Sequence, residues 1–149
     1  VNTTASGTVP NGFRYLSFRL GATATEIGTI TKASATTVAY NTSSDYRLKE
    51  NIQPMQNALA KVAQLKPCIY TWKVDGSAGQ GFIAHELADV VPDCVTGEKD
   101  AVNEDGSIKP QGIDTSFLVA TLTAAIQEMK QIVDAQAAEI AALKTKVGG

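Results

Sequence analysis

The sequence predicts an α+β protein in two parts: a β-stranded segment over residues 1–43, and a mixed α/β domain over residues 44–149 that ends in a long coiled-coil helix. Residues 1–43 hold ten threonines and a single acidic residue, whereas the rest of the chain holds six threonines and most of the charge. Threonine is enriched in strands. Apolar residues near the C-terminus recur with heptad spacing, which is typical of a coiled coil.

The composition indicates which classes of molecule this protein should not bind. The net charge of −2 leaves no basic surplus to neutralise phosphates, so we expect no nucleic acid partner. No apolar run approaches the ~20 residues of a membrane span, so we expect no membrane partner. The chain opens on Val1 rather than Met, and we expect it to be the tail of a longer protein.

Metal and cofactor signals are weak. Cys68 and Cys94 lack paired metal-ligand spacing and are interpreted as inert, reduced thiols in the core. The turn at residues 103–106 resembles part of a calcium loop, but Ala101 occupies a ligand position. The sequence therefore predicts no metal and no cofactor.

The N-terminal segment is predicted to form short strands. Residues 13–20 alternate in a strand-like pattern, and Gly21, Gly28 and a threonine-rich run over residues 23–31 suggest short strands with turns between them. A segment of about 40 residues cannot bury a core alone. We therefore expect association with copies of itself, with a disordered leader as the alternative.

The centre of the chain alternates helix and strand signals. Met55, Leu59, Val62 and Leu65 lie on one helical face, and Pro67 ends that helix. Two strands are predicted over residues 68–74 and 80–84, and a short helix over residues 85–91.

The first of those strands has an alternating pattern. Cys68, Tyr70, Trp72 and Val74 are two residues apart, which predicts one buried strand face.

The last predicted helix, about residues 114–147, carries an unbroken heptad pattern. Leu118 and Ile132 add apolar surface outside it, so the first half should also pack on the globular part. The alternative is an amphipathic helix that packs only on its own domain. Branched residues at a and Leu at d favour a dimer, and a polar residue at d fixes register, but the pattern alone does not decide the number of chains. The predicted interface residues are Val119, Leu122, Ile126, Met129, Val133, Gln136, Ile140, Leu143 and Val147.

Three ordered segments carry a family resemblance. Residues 44–52 read SDYRLKENI, which resembles the opening motif of the C-terminal intramolecular chaperone domains of phage tailspikes and tail fibres, with endosialidases as the type example. Residues 81–86 read GFIAHE and are similar to a family segment in which glutamine is commoner at His85. Residues 113–116, which lead into the predicted coiled-coil helix, are also similar in kind to the corresponding family segment. Residues 21–28 are similar to the ends of trimeric β stalks in such fibres.

The resemblance implies a homotrimer whose chaperone part, residues 44–149, is released from the stalk by one self-cleavage. Carried over, the scissile bond joins Ser43 and Ser44, Ser44 is the nucleophile of a serine peptidase, and Lys49 is its base. The partners would be the other chains and the upstream stalk. The chaperone would act in the host cytoplasm during virion assembly, and the stalk would stay in the virion tail.

Other residues near this site are interpreted as support. Asp45, Arg47 and Glu50 surround the predicted pair without being its catalysts, and His85 is kept as a further supporting candidate. Without the resemblance, Ser44 and Asp45 would be interpreted as a helix cap and Lys49 as a solvated side chain.

The spacing of the pair imposes a geometric condition. Five residues along an α-helix turn about 500°, so Ser44 and Lys49 would point about 140° apart on one helix. Either Ser44 precedes the helical turn, or Lys49 comes from a neighbouring chain. The alternative function is a structural trimerisation tip that never cuts. A freestanding protease is disfavoured because no triad or specificity pocket is evident.

Overall fold

The computed structural model describes residues 9–21 and 25–148, and the chain divides into two compact units between Gln53 and Pro54. The first unit contains an antiparallel sheet of β1 (Arg14–Leu20), β2 (Thr25–Lys32) and β3 (Val38–Thr42), in that order. The first two strands were predicted, and β3 was not. Residues 22–24, part of the predicted stalk-like segment, lie outside the described residues.

The sheet has one apolar and one polar face. Cross-strand pairing aligns Leu16 with Ile30 and Ile30 with Tyr40, so these apolar side chains share a face. On the other face, the Asn41 amide donates to the hydroxyls of Thr29 and Thr31 at 3.2 and 3.1 Å. Within the described part of this unit, no large apolar side chain is fully buried. The strands therefore form, as expected, without a core of their own.

The second unit is a mixed α/β structure. It contains two short 3₁₀ turns: Pro92–Cys94 precedes the last pair of strands, and Thr115–Phe117 precedes the last helix. Its elements are α1 (Ala58–Val62), β4 (Cys68–Thr71), β5 (Ala78–Gly81), α2 (Ala84–Ala88), β6 (Val95–Thr96), β7 (Gly112–Ile113) and α3 (Leu118–Val147). The strands pair antiparallel as β4 with β5 and β6 with β7. The fold is thus mixed α and β with a long C-terminal helix, as predicted.

The β4–β5 hairpin corrects two predicted strands. The Asp75 carboxylate accepts the N–H and the hydroxyl of Ser77 at 3.0 and 2.8 Å, and this turn closes the hairpin at once. As a result β4 ends at Thr71 and β5 begins at Ala78, two residues before its predicted start. At the open end β5 stops at Gly81, opposite the first residue of β4, three residues before its predicted end. Trp72 and Val74 lie in the turn, 53% and 90% exposed, so their prediction as buried strand residues was wrong.

A small core holds the second unit together. Leu87 of α2, Cys94 and Leu118 of α3 are 2%, 1% and 4% exposed and pack as one cluster. Burial, followed by the charges of Asp114 and Asp93, raises the pKa of the Cys94 thiol. A buried thiol that resists ionisation is unreactive. This agrees with the interpretation of Cys94 as an inert core residue.

One face of α3 packs against α1. Asn57 precedes α1 with a positive φ of 59° and does not cap it through its side chain. The Glu128 carboxylate on α3 instead accepts the N–H groups of Leu59 and Ala58, at 2.8 and 2.9 Å. These two bonds lower the pKa of Glu128, with the bond from Leu59 the larger cause. The first half of α3 thus packs on its own domain, as predicted. Within the described residues, no helix has the length and apolar character to span a membrane.

Candidate active site

The predicted scissile bond directly follows the N-terminal sheet. Ser43 extends the ladder beyond β3, because its N–H donates to the Ile27 carbonyl at 3.1 Å. The Ser43 hydroxyl donates to the neighbouring Glu26 carbonyl at 3.0 Å. Ser44 is the next residue, so the predicted scissile bond begins at the residue whose N–H and hydroxyl both donate to β2.

A single 3₁₀ turn over Tyr46–Leu48 follows Ser44. Asp45 caps it: its Oδ1 accepts the Arg47 N–H at 2.9 Å. The Arg47 guanidinium returns to the same carboxylate through Nε at 2.9 Å and Nη2 at 2.6 Å. These side-chain bonds, followed by the backbone bond, lower the pKa of Asp45, and the pairing raises that of Arg47. Both residues contact each other across the turn, and their role as supporting residues of the site stays a prediction.

The turn brings Ser44 and Lys49 together within one chain. The Lys49 Nζ donates to the Ser44 Oγ at 2.7 Å. The backbone is extended at Asp45 and again at Lys49, on either side of the turn. A 3₁₀ turn closes in three residues, so Ser44 precedes the turn and the chain returns after it. Of the two arrangements that the spacing allowed, this is the first.

The pair lies open to solvent in the single chain. Every residue from Ser44 to Ile52 is exposed, including the apolar side chains of Tyr46 and Leu48 at 75% and 69%. An apolar side chain exposed to this extent is a candidate for burial on association. In the single chain, Ser44 Oγ and Lys49 Nζ are therefore in contact while open to solvent.

The remaining predicted supporting residues are Glu50 and His85. Glu50 is exposed directly after Lys49. His85 is half-buried in α2, in the second compact unit, beside Glu86, which pairs with Lys66 at 3.3 Å. The part of the chain that the structure describes contains no group of three or more side chains placed to hold a metal.

The predicted interface residues form an open face on α3. The apolar ones are all between 41% and 84% exposed, and Gln136 among them is exposed as well. The buried residues of the helix, Leu118, Thr121 and Ala125, form a stripe that adjoins this face, because Leu122 and Met129 follow Leu118 and Ala125 by four residues. From Val133 to Gly148 every residue is exposed. The domain thus covers a stripe on the first half of the helix, and the adjoining apolar face is exposed in the single chain.

Two sets of contacts described above were not predicted from the sequence. The hydrogen bonds of Ser43 depend on β3, whose residues carry no strong strand pattern. Glu128 stands 69 residues from Leu59, whose N–H it accepts. A glutamate in a helix is ordinary, and no local spacing marks its contact. Asn57, a frequent capping residue type, could have indicated the start of a helix, although its side chain makes no capping bond.

Comparison with known proteins supports the resemblance for part of the chain. A search among curated proteins found no match. Residues 44–96 match the model of a peptidase family described as chaperone of endosialidase, and the match begins at Ser44 itself. The match supports an intramolecular chaperone role for this segment, and the family's name suggests peptidase activity. Over residues 44–96 the chain is therefore similar to the chaperone of endosialidase family.

Proposed function

We propose that this chain is the C-terminal intramolecular chaperone of a phage tail spike or fibre, which trimerises, guides the folding of the stalk and is released by self-cleavage between Ser43 and Ser44. The observation that carries the proposal is the 2.7 Å contact between Lys49 Nζ and Ser44 Oγ. That contact stands beside the peptide bond at which the family match begins. Released chaperone would remain in the host cytoplasm, and the stalk would enter the virion tail.

The chemistry starts with the Ser44 hydroxyl and the carbonyl of its own peptide bond. The neutral Lys49 amine takes the hydroxyl proton, and Oγ bonds to the Ser43 carbonyl carbon through a five-membered ring. The peptide C–N bond between Ser43 and Ser44 then breaks, and the Ser44 nitrogen takes the proton from the protonated Lys49 amine. Water adds to the resulting ester, whose C–O bond breaks to leave a Ser43 carboxylate and a free Ser44 hydroxyl. Water could also attack the carbonyl directly, with Lys49 as base.

Assembly would supply the environment that a lysine base needs. A lysine accepts a proton only as the neutral amine, and burial favours the neutral form. Tyr46 and Leu48 are exposed apolar side chains two residues or fewer from the pair. If neighbouring chains cover them, water leaves the site when the trimer forms. Cutting would then depend on assembly.

Two surfaces support self-association. The heptad face of α3 is apolar and open, and the sheet of the first unit exposes Leu16, Phe18 and Tyr40 on one side. A shared core between chains would cover both. The resemblance implies three chains, and this favours a homotrimer over the dimer that the heptad rule would suggest.

The order of events follows from folding physics. A stalk of strands shared between chains requires non-local pairing, which is slow and exposes strand edges. A C-terminal domain that trimerises first raises the effective concentration of the stalk segments and sets their register from one end. Removing it afterwards leaves the stalk trapped behind a kinetic barrier.

The test is the intact mass of purified wild-type protein and of variants. Ser44→Ala and Lys49→Met should abolish the fragment that begins at Ser44, since loss of a general base costs about 10²–10⁴-fold in rate. Lys49→Arg should also fail, because a guanidinium does not deprotonate. Lys73→Met, which replaces another exposed lysine, is the matched control and should cleave like the wild type.

Two further readouts separate the alternatives. Hydroxylamine should trap the ester route as a hydroxamate at Ser43, and a direct water attack would give none. Light scattering should report a trimer for every variant. A wild-type trimer that stays uncut would refute self-cleavage and favour the structural trimerisation tip.

A further inference from the structure

Ser43 is held on the sheet by two independent hydrogen bonds. In the antiparallel register, Gly28 faces Thr42 and Thr29 faces Asn41, so the next pair is Ile27 and Ser43. The Ser43 N–H completes that pair at 3.1 Å. Its hydroxyl reaches one residue further, to the Glu26 carbonyl at 3.0 Å. Both acceptors are backbone atoms of β2.

The acceptor segment is itself tied to β1. The Glu26 carboxylate accepts the Ser17 hydroxyl at 2.8 Å and pairs with the guanidinium groups of Arg14 at 3.3 Å and Arg19 at 3.7 Å. Glu26 is the one acidic residue among residues 1–43 of the sequence. The Ser43 hydroxyl thus donates to the carbonyl of Glu26, a residue of β2 whose side chain contacts β1. The two Ser43 bonds require the pairing of β3 with β2, and the Glu26 carboxylate contacts connect β2 in turn to β1.

Two ordered elements meet at the bond between Ser43 and Ser44. On the acyl side, the sheet holds Ser43 by its N–H and its hydroxyl. On the amine side, the turn capped by Asp45 holds the Ser44 hydroxyl against Lys49. The direction of the Ser43 carbonyl relative to the Ser44 Oγ therefore depends on the pairing of β3 with β2.

We infer that Ser43 is a positioning residue for the cleavage, and that completion of the last β2–β3 pair makes the bond ready to be cut. This inference rests on the proposed function and adds a trigger to it. A strand that has not paired leaves the carbonyl free to rotate away from the nucleophile. Displacement of reacting groups by about 1 Å can cost on the order of 100-fold in rate. Folding of the sheet would thereby license the release of the chaperone.

The first test compares Ser43→Thr with Ser43→Val. The two side chains have nearly the same shape, and only Thr keeps the hydroxyl. We expect Thr to cleave within about threefold of the wild type and Val to cleave about 10- to 100-fold more slowly. Because the Ser44–Lys49 pair is untouched, the pH dependence of the rate should be the same in both. Thr42→Val, at the exposed neighbouring position, is the control and should cleave normally.

The second test disturbs the pairing without touching the cleavage site. A Cβ at Gly28 would lie 2.9 Å from the backbone oxygen of Asn41, so Gly28→Ala must push β3 away from β2. We expect slower cleavage in this variant, again with an unchanged pH dependence. Equal rates for Ser43→Thr and Ser43→Val would overturn the inference, as would a wild-type rate in Gly28→Ala with its sheet shown to be perturbed.

A measurement without cleavage separates this inference from the proposed function. In a Ser44→Ala background, which cannot be cut, hydrogen exchange should be faster at the amide of residue 43 with Ser43→Val than with Ser43→Thr. Equal exchange would overturn the anchoring role of the hydroxyl. A wild-type chain that never cuts would instead refute the proposed function and its trigger, whatever the exchange result.

Discussion

Ile126 offers the sharpest test of self-association through α3. It is 65% exposed in the single chain, whereas Leu118 on the same helix is 4% exposed. Substitution of each by Ala therefore removes apolar surface from different places. Ile126→Ala removes surface that the domain itself does not cover, and Leu118→Ala opens a cavity in the core.

The magnitude follows from the exposed fraction. Full burial of a large aliphatic side chain contributes about 1.5–3 kcal/mol. Since about two-thirds of Ile126 remains to be covered, each chain would contribute about 1–2 kcal/mol on association, and a trimer about 3–6 kcal/mol. Each 1.4 kcal/mol is about a factor of ten, so Ile126→Ala should weaken the trimer by about 10²–10⁴-fold. Leu118→Ala should cost the domain about 2–5 kcal/mol.

The assay is sedimentation or light scattering across a concentration series, combined with urea unfolding under conditions where the chain is monomeric. Ile126→Ala should dissociate at higher concentration than the wild type and unfold at the same urea concentration as the wild-type monomer. Gln127→Ala, at an exposed neighbouring position, should leave both unchanged. An unchanged association state in Ile126→Ala, or a loss of monomer stability equal to that of Leu118→Ala, would refute the reasoning.

Two further predictions concern the second unit. Glu128→Gln should weaken the contact with the N-terminus of α1 and so lower the stability of the protein. Because the pKa of Glu128 is lowered in the folded state, the stability difference between wild type and variant should be present above the unfolded-state pKa and vanish as the pH falls through the folded-state pKa. Thermal melts that differ equally at all pH values would contradict this. Gly79→Ala should destabilise the β4–β5 hairpin, because its Cβ would lie 2.5 Å from the Tyr70 ring. Adding Tyr70→Ala should relieve that clash, so strictly additive losses in the double variant would contradict the contact.

Periodic segments were the most predictable part of the fold. The heptad spacing predicted a helix that the structure places at Leu118–Val147, and Leu118 predicted its packing on the domain. Short elements were less predictable, because a turn can override the pattern of its strand. Ser77 bonding to Asp75 ended β4 early and exposed Val74 despite its strand-like spacing. Two-residue strands such as β6 exist only through their partner and carry no pattern of their own.

The candidate site was likewise predictable in part from the sequence. The motif at residues 44–52 identified Ser44 and Lys49, and helical geometry excluded their meeting on one regular helix. The spacing left open whether Lys49 comes from the same chain, and the 3₁₀ turn decided it for the single chain. The self-cleavage itself stays a prediction, as do the trimer and the boundary between stalk and chaperone.

The sequence by itself determined the features that depend on neighbouring residues: the heptad face of α3, the turn signals, and the order of the family motif. The tertiary structure decided the contacts between residues far apart in the chain, such as Ser43 with Glu26 and Glu128 with the start of α1. The physical reason is that a backbone carbonyl or N–H group belongs to every residue. No residue type therefore marks it as a partner, and only the register of strands or the packing of helices selects it.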